Sequence, residues 1–298
     1  MTLTAQDLHG IFPALTTSMT AEGAYDPAGM RAAVARMFDA GMDGIVPLGG
    51  TGEYTALSPA ERLAVVETCV AAARGRGPVI AGVLSPGFAE AVETGRQFAA
   101  AGADAIMLVT PFYVLSGQAG ILDYYRQFHA AVGLPIVLYE IPGRTNVSYA
   151  PETVATLAEE GIAIGIKYSN LDVVKFTQVM NAAGSKLCVM GGDDSLLAAH
   201  MLLGAPGCIL ATANLCPEVW VDCFRKARSG DLSAAAALNK TLYPMIEAVF
   251  SEPNPTALKA AMRIAGRDAG PVRTPLRPAL PETEARLKRL AAEMPELF

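Results

Sequence analysis

Short apolar segments alternate with longer amphipathic segments along most of the chain. Each apolar segment has five to seven residues and is rich in Val, Ile and Leu. This composition is typical of β-strands that are buried on both faces. The eight candidate strands are residues 10–16, 44–48, 78–82, 105–109, 135–139, 163–167, 187–191 and 207–211.

The amphipathic segments between these strands predict helices. The eight candidates are residues 27–40, 59–74, 88–101, 117–132, 151–160, 171–183, 194–203 and 216–228. Ser58 precedes Pro59, which places a capping hydroxyl before a proline at the first helical position. Glycines follow several predicted helix ends, where a left-handed backbone commonly ends a helix. These glycines are Gly41, Gly102, Gly161, Gly184 and Gly204.

Eight strand–helix units in series predict an α/β fold in which a parallel sheet closes into a (β/α)8 TIM barrel. No GxGxxG motif follows the first strand, which disfavours an open dinucleotide-binding sheet. The last part of the chain has helical patterns without strands, and no linker rich in Gly, Ser or charge precedes it. We therefore predict a barrel that carries the active site in residues 1–230 and a C-terminal helical region, 231–298, packed on the same domain.

Composition narrows the classes of function. The chain has 298 residues, of which 52% are hydrophobic, and a formal net charge of −6. Lys and Arg are scattered without a basic stripe, which disfavours binding to nucleic acid. No apolar run approaches the roughly 20 residues that cross a bilayer, and the N-terminus shows no secretion signal. We expect a cytoplasmic protein without membrane association, in which the five cysteines are reduced and buried.

The active site of a TIM barrel lies at the C-terminal ends of its strands, so reactive side chains there are the candidates for catalysis. Lys167 is the strongest signal, because it is the only one of seven lysines that ends an apolar strand. Removal from water disfavours the charged form of a lysine, and a neutral amine can attack a ketone to form a Schiff base. A buried lysine paired with a carboxylate is the structural alternative.

Schiff-base chemistry also needs a group that transfers protons. The three histidines, His9, His129 and His200, all lie away from strand ends. Tyr113 follows strand four and Tyr139 closes strand five, both at the expected end of the barrel, and tyrosine can act as a general acid and base. Each tyrosine taken alone could equally be a rim residue that packs and hydrogen-bonds.

Two further features at the same end suit a carboxylate ligand. Residues 49–52, GGTG, follow strand two, and clustered glycines let backbone N–H groups approach an anion closely. Arg144 follows strand five in a turn-forming stretch, and arginine binds carboxylates through two parallel hydrogen bonds. A tight turn and a solvated loop charge are the respective alternatives.

The sequence contains no pattern that predicts a metal site. There is no HExxH motif, no histidine pair on one helix face, and no cluster of histidines and carboxylates at the strand ends. Asp193 and Asp194 follow strand seven, where we expect the N-cap and a first-turn acid of the next helix. We therefore expect neither a metal nor an organic cofactor.

Motifs distributed over nearly the whole chain resemble those of the dihydrodipicolinate synthase / N-acetylneuraminate lyase family, and they occur in the family's order and spacing. The matching motifs are GIFPALTT (10–17), GGTGE (49–53), TPFY (110–113), YEIPGRT (139–145), GIKYSN (165–170), GGDD (191–194), TAN (212–214) and EPNPTALK (252–259). The resemblance implies a class I aldolase-type lyase or synthase whose lysine forms a Schiff base with pyruvate or another 2-keto acid.

The resemblance also implies roles for individual residues. Lys167 matches the family's Schiff-base lysine, and Tyr139 matches the tyrosine that moves protons beside it. Tyr113 matches a tyrosine that completes a proton relay in the site of a neighbouring subunit. The positions that match substrate-binding residues are Thr51, Gly192 and Ile209 for pyruvate and Arg144 for the carboxylate of the second substrate.

Two positions depart from the family's common pattern. Gly50, which we also place among the substrate-binding residues, stands where the synthase branch has a threonine whose hydroxyl links the two tyrosines. A glycine there resembles the branch that dehydrates 5-keto-4-deoxyglucarate. Glu140 stands where asparagine is common and adds a carboxylate near the site, although the alternation of a strand can point it away.

The resemblance favours a 4-hydroxy-tetrahydrodipicolinate synthase-like reaction, in which pyruvate condenses with aspartate semialdehyde. Arg144 and the NPxxxK stretch (254–259) favour this branch, whereas Gly50 weakens it. The alternatives are an aldolase or dehydratase of 2-keto-3-deoxy sugar acids and an imino-acid deaminase of the same family. A paralogue that binds a keto acid without turnover is the hypothesis from a different class. The family's usual assembly implies a homotetramer built from two tight dimers.

Overall fold

The computed structural model describes residues 2–298 and contains a seven-stranded sheet in which every pair of neighbouring strands is parallel. The strands are β1 (Gly10–Pro13), β2 (Ile80–Val83), β3 (Ala105–Val109), β4 (Ile136–Glu140), β5 (Ala163–Tyr168), β6 (Cys188–Gly191) and β7 (Gly207–Leu210). Their order across the sheet is β1-β7-β6-β5-β4-β3-β2. The α/β class predicted from the alternating pattern is confirmed.

The segment predicted as the second strand, 44–48, is reduced to two isolated parallel bridges. Val46 bridges to Ala14 beside β1, and Ile45 bridges to Val79 beside β2. A regular ladder cannot continue through Pro47, because proline has no backbone N–H to donate. The segment nevertheless hydrogen-bonds to both edges of the sheet, through Leu15 N to Val46 O and Ile80 N to Ile45 O, each 3.0 Å.

Helices follow most of the strands. The helices are α1 (Pro27–Asp39), α2 (Pro59–Ala73), α3 (Phe88–Ala100), α4 (Gly117–Val132), α5 (Pro142–Thr145), α6 (Pro151–Glu159), α7 (Val173–Ala183), α8 (Leu197–Leu202), α9 (Pro217–Arg228), α10 (Leu232–Val249), α11 (Thr256–Ile264) and α12 (Pro281–Glu293). Short 3-10 helices lie at Ala5–Asp7, Tyr54–Ala56, Asp194–Leu196, Thr212–Asn214 and Pro295–Leu297. No helix within residues 2–298 combines the length and the apolar character that crossing a membrane requires.

The start of α2 shows why a predicted helix begins where it does. The Ser58 hydroxyl accepts a hydrogen bond from the backbone N–H of Glu61 at 3.3 Å, and the Glu61 carboxylate accepts one from Ser58 N at 2.9 Å. This reciprocal capping satisfies two donors that the first helical turn leaves free, and Pro59 has no N–H to satisfy. Two other segments differ from prediction: 194–203 divides into a 3-10 turn and α8, and the stretch around Arg144 forms the one-turn helix α5.

The strands separate two hydrophobic layers. Val137 and Tyr139 of β4 belong to a cluster supplied almost wholly by strand residues, which is enclosed by the sheet. Ile136 and Leu138 belong instead to the larger layer that the helices share. The residues on either side of Lys167 in β5 belong to the outer layer. Because side chains alternate along a strand, Lys167 itself faces the enclosed side. This alternation directs Tyr139 and Lys167 towards the same space.

The C-terminal helices are part of the same core. Leu242 and Met245 of α10, Leu258 of α11 and Leu287 of α12 are buried in the larger hydrophobic cluster together with residues of the strands. A continuous cluster of this kind is the property of one packed domain. Helices α10, α11 and α12 therefore share one hydrophobic cluster with the strands.

His200 of α8 lies in this outer layer without a hydrogen-bond partner. Its side chain is fully buried, it stacks on Phe176 at a ring-centre distance of 4.4 Å, and neither ring nitrogen has a partner within residues 2–298. Burial lowers the pKa of His200 from 6.5 to about 4. The imidazole is therefore neutral in the folded protein at neutral pH.

We expect His200 to make the protein sensitive to mild acid. Below pH 6.5 the unfolded chain takes up a proton at this residue, whereas the folded chain does so only near pH 4. Stability is therefore complete above pH 6.5 and falls as the pH drops towards 4, by about 2 kcal/mol at pH 5. Urea unfolding at pH 7 and pH 5 should show this loss in the native protein and a smaller one in His200→Phe. The exposed His9, changed to Phe, serves as the matched control; an equal acid loss in both variants would contradict the assignment.

Candidate active site

A cavity of about 500 Å³ opens at the C-terminal ends of the strands, where the sequence predicts the site. It is lined by Gly50, Thr51, Tyr139, Ile141, Arg144, Lys167, Ser169, Gly192, Asp193, Asp194, Ile209, Ala211, Phe250, Ser251, Glu252, Pro253 and Asn254. Seven of the eight residues predicted for the site line this one cavity. The exception is Tyr113.

Lys167 lies near the end of β5 and faces the cavity. Its side chain is 5% exposed, and its Nζ is 4.6 Å from the centre of the Tyr139 ring. Tyr139 and Lys167 are direct partners in the β4–β5 register, so the parallel backbone ladder sets their proximity. Within the part of the chain that the structure describes, no carboxylate lies within 4.0 Å of this amine. The structure therefore does not support the alternative in which Lys167 is paired with a carboxylate.

The two candidate tyrosines occupy different environments. Tyr139 is 5% exposed and forms part of the enclosed cluster beside Lys167. Tyr113 is 91% exposed, has a φ of 72°, and does not line the cavity. A positive φ is uncommon for a residue with a large side chain. It points the side chain in a direction different from the one it would have in an extended strand. A single chain therefore brings Tyr139, but not Tyr113, to the lysine.

The turn that follows the segment 44–48 presents Thr51 to the cavity. Thr51 is 4% exposed, and its Oγ1 accepts a hydrogen bond from Asn254 Nδ2 at 2.9 Å. Two backbone hydrogen bonds close the turn, from Gly52 N to Gly49 O at 3.1 Å and from Glu53 N to Gly50 O at 3.2 Å. The turn holds a hydroxyl at the cavity wall, where it can bind a carboxylate oxygen.

Arg144 lies on the one-turn helix α5 and leans towards Gly50. Its Nη2 donates to the backbone carbonyl of Asn254 at 3.3 Å, and the side chain is otherwise exposed. A Cβ atom at position 50 would lie 3.0 Å from Nη1 of Arg144. The guanidinium thus occupies the space beside Gly50 that a larger residue would need. Arg144 and Gly50 line this cavity and also a second cavity of about 440 Å³, and the remaining guanidinium donors face these two spaces.

Gly192 and Ile209 form the wall beyond the lysine. A Cβ at Gly192 would lie 2.3 Å from Ser169 Oγ and 2.9 Å from Ser169 N, so only glycine fits there without displacing the β5 loop. Ile209 of β7 is fully buried and belongs to the enclosed cluster. Ser169, which the sequence reasoning did not single out, donates from its Oγ to Gly192 O at 2.9 Å and fixes this wall.

The acidic pair after β6 has two separate roles. Asp193 accepts a hydrogen bond from Ser195 N at 3.0 Å, so the predicted N-cap is confirmed. Asp194 accepts from Thr212 N at 2.7 Å and from Thr212 Oγ1 at 2.5 Å, and thereby ties the β6 loop to the β7 loop. Burial raises the pKa of Asp194, which the hydrogen bonds from Thr212 oppose.

The C-terminal region supplies a wall of the cavity; its EPNPTALK motif (252–259) was singled out from the sequence but was given no place in the site. Residues 250–254 line the cavity, and Asn254 contacts Thr51 directly. Behind this wall, Lys259 of α11 forms an ion pair with Glu53 at 2.7 Å, and the two side chains are only 3% and 1% exposed. Burial lowers the pKa of Lys259, and the nearby Glu53 opposes that shift. The sequence offered one signal for this buried ion pair, which was Lys259 itself, a charged residue within the apolar run TALKAAM.

Comparison with known proteins gives concordant results. The model of the dihydrodipicolinate synthetase family matches residues 7–294. The chain is 36% identical to a 4-hydroxy-tetrahydrodipicolinate synthase of Methanothrix thermoacetophila over 97% of each chain. It is 37% identical to the enzyme of that name from Haloarcula marismortui, over 92% of this chain and 90% of the relative.

Solved structures show the same likeness. The crystal structure of dihydrodipicolinate synthase from Aquifex aeolicus superposes with a TM-score of 0.93 at 30% identity, covering 98% of this chain and 99% of that one. Dihydrodipicolinate synthase from Acinetobacter baumannii, solved in complex with pyruvate, superposes with a TM-score of 0.92 at 33% identity, covering 96% and 98%. The resemblance inferred from the motifs is confirmed over residues 7–294.

Proposed function

Because the chain belongs to the dihydrodipicolinate synthetase family, we propose that it is a class I aldolase-type lyase in which Lys167 forms a Schiff base with pyruvate. One observation carries the proposal: the amine lines the cavity 4.6 Å from the Tyr139 ring centre, and no carboxylate of residues 2–298 pairs with it. The name of the curated relatives supports aspartate semialdehyde as the second substrate and a 4-hydroxy-tetrahydrodipicolinate synthase reaction.

The architecture that we propose for this function is a (β/α)8 barrel with a C-terminal helical extension. The segment 44–48 lies between β1 and β2, the two edges of the seven-stranded sheet, where a closed barrel needs one more strand. Its backbone hydrogen bonds to both edges support this assignment. The barrel comprises residues 1–230, and the helical region comprises residues 231–298. The contribution of residues 250–254 to the cavity explains why the extension is needed for a complete site.

The first half-reaction uses Lys167 and Tyr139. The amine attacks the C2 carbonyl of pyruvate, and the resulting carbinolamine loses its hydroxyl as water to give an imine. The Tyr139 hydroxyl supplies the proton for this loss, and the phenolate then accepts a proton from the methyl group to give an enamine. Thr51 Oγ1 and the adjacent wall at Gly192 and Ile209 hold the carboxylate end of pyruvate in place. No cofactor takes part in these steps.

The second half-reaction forms the carbon–carbon bond. The enamine carbon of bound pyruvate attacks the aldehyde carbon of the semialdehyde, the aldehyde oxygen takes up the proton that Tyr139 received from the methyl group, and the imine on Lys167 re-forms. The amino group of the semialdehyde then attacks the imine carbon and displaces the Lys167 amine, which releases the product. Arg144 binds the carboxylate of this second substrate, because its guanidinium lies over Gly50 at the cavity mouth and keeps unpaired donors. The two carboxylates are thus held by different sides of the cavity, and the reacting carbons meet above Lys167.

Trapping with borohydride tests the proposal. The protein is incubated with pyruvate, reduced, measured by intact mass and mapped by peptide digestion. We expect one added pyruvyl group per chain, located on Lys167. An adduct on another lysine, or none at saturating pyruvate, would overturn the proposed function.

Gly50 favours a second candidate function within the family. Gly50 lines both this cavity and its 440 Å³ neighbour, and the two cavities together suit a longer substrate such as a 2-keto-3-deoxy sugar acid. Lys167 would form the same imine, and cleavage or dehydration would follow in place of condensation. Comparing kcat/KM for aspartate semialdehyde plus pyruvate with kcat/KM for a panel of such sugar acids separates the two functions.

Replacing Gly50 by threonine is expected to weaken the binding of the second substrate. The new Cβ would lie 3.0 Å from Nη1 of Arg144, so the guanidinium must move away from its position. We expect the KM for the semialdehyde to rise about fivefold while the pyruvyl adduct still forms. Gly87→Thr, at a position with nothing within 4 Å, is the matched control. A sharp rise in synthase activity would instead favour the sugar-acid function.

The assembly that we propose is a homotetramer of two tight dimers. Tyr113 is 91% exposed in the single chain, and the neighbouring Val114 and Leu115 are 72% and 61% exposed. Such an apolar stretch favours contact with a second subunit, whose site Tyr113 would then complete. Sedimentation velocity measures the oligomeric state, and a monomer at micromolar concentration would contradict this part of the proposal.

A further inference from the structure

Glu140 is a buried glutamate that the proposed mechanism does not use. It is the last residue of β4, immediately after Tyr139, and is 1% exposed. Because side chains alternate along a strand, Tyr139 faces the cavity and Glu140 faces the opposite side of the sheet. Glu140 therefore acts on the structure around the cavity and does not line it.

The Glu140 carboxylate is surrounded by hydrogen-bond donors from two loops. It accepts from the Ser148 hydroxyl, from Tyr149 N at 3.0 Å and from Asn170 Nδ2 at 3.0 Å. Lys175 Nζ donates to the same Ser148 hydroxyl at 2.5 Å. A buried carboxylate is tolerated when several donors satisfy it in this way, so the arrangement is a built one.

These contacts close the loop that carries Arg144. Residues 141–149 leave the strand at Glu140, pass through α5 and return to the Glu140 carboxylate at Ser148 and Tyr149. Asn170 connects the same carboxylate to the loop after β5, because its Oδ1 accepts from Asp172 N at 3.1 Å. Both ends of the Arg144 loop are thus attached to one residue, and a neighbouring loop supports that residue.

We propose that Glu140 is a positioning residue that holds residues 141–149 so that Arg144 reaches the carboxylate of the second substrate. This inference rests on the proposed function. Formation of the imine does not depend on the Glu140 side chain, because the backbone register of β4 and β5 sets the Tyr139–Lys167 pair. The link from Ser169 N to Glu140 O, at 2.8 Å, is also a backbone contact and survives substitution.

Glu140→Gln tests this assignment, because it keeps the size of the side chain and places an amide N–H₂ where donors now converge. With aspartate semialdehyde and pyruvate as substrates, we expect the KM for the semialdehyde to rise about tenfold and kcat to stay within about twofold. The yield of borohydride-trapped pyruvyl adduct should be unchanged. Hydrogen exchange of the amides in residues 144–149 should become faster. Glu152→Gln, an exposed glutamate on α6, is the matched control and should leave all four quantities unchanged.

A double-mutant cycle distinguishes positioning from general damage. In an Arg144→Ala background, Glu140→Gln should raise the semialdehyde KM no further, because it acts through the missing guanidinium. Multiplicative effects, or an equal loss of adduct and of semialdehyde affinity, would overturn the inference. Failure of the native protein to form any adduct would instead overturn the proposed function. Hydrogen exchange still tests the attachment of the loop in that case, and unchanged exchange at Tyr149 N contradicts it.

Discussion

Lys167→Met is expected to abolish turnover, lowering kcat by more than about ten-thousand-fold. Methionine keeps the length and apolar stem of the side chain but removes the one amine that lines the cavity within residues 2–298. Without it no imine forms, and the acidity that the imine gives to the pyruvate methyl group is lost. Because the residue is 5% exposed and has no ion-pair partner among the described residues, removing its amine leaves no buried carboxylate there unpaired. We therefore expect little change in the free energy of unfolding.

Steady-state assays, borohydride trapping and urea unfolding together check this prediction. Lys186→Met is the matched control, because Lys186 is a surface lysine that pairs with Glu159 away from the cavity, and it should retain full activity and the adduct. Lys167→Arg adds a second control, since it keeps a positive charge but cannot form an imine at this position. Residual turnover above about one per cent in Lys167→Arg would show that charge, and not covalent catalysis, carries the reaction.

The positions of Lys167 and Tyr139 could be predicted because local rules determine them. Each lies near the end of a short apolar run, and runs of this kind separated by amphipathic segments form parallel strands. The C-terminal ends of parallel strands meet on one side of the sheet, and alternation selects the side chains that face inward. In the structure, the β4–β5 register makes Tyr139 and Lys167 direct partners. Sequence patterns therefore predicted that Tyr139 and Lys167 face the same cavity, as the structure shows.

Other parts of the site depend on contacts between distant segments, and no local pattern encodes these. Asn254 reaches Thr51 across 203 residues, and although the EPNPTALK motif contains it, nothing local predicts this contact. The predicted strand at 44–48 failed for a local reason, the missing N–H of Pro47. The strand-end position of Tyr113 does not specify its φ of 72°, and the residue does not line the cavity of its own chain.

Lys259→Met should produce the largest loss of stability, about 3–5 kcal/mol, because it leaves the buried Glu53 carboxylate without its cation. The pair joins α11 to the turn that presents Thr51, so the loss should also loosen the wall formed by residues 250–254. Urea unfolding measures the free energy, and the KM for pyruvate reports the position of Thr51. Lys240→Met, an exposed lysine on α10, is the matched control and should change stability by less than about 0.5 kcal/mol.

The double variant Glu53→Gln/Lys259→Met separates the ion pair from the packing of the lysine stem. Glutamine keeps an acceptor for Arg273 N, which donates to Glu53 Oε2 at 2.7 Å, but carries no charge that needs a partner. We expect the double variant to recover at least about half of the stability that Lys259→Met loses, because the main cost is an unpaired buried charge. Additive losses from the two substitutions would show that the residues act independently. In that case the contact between the C-terminal region and the Thr51 turn would owe its strength to apolar packing alone.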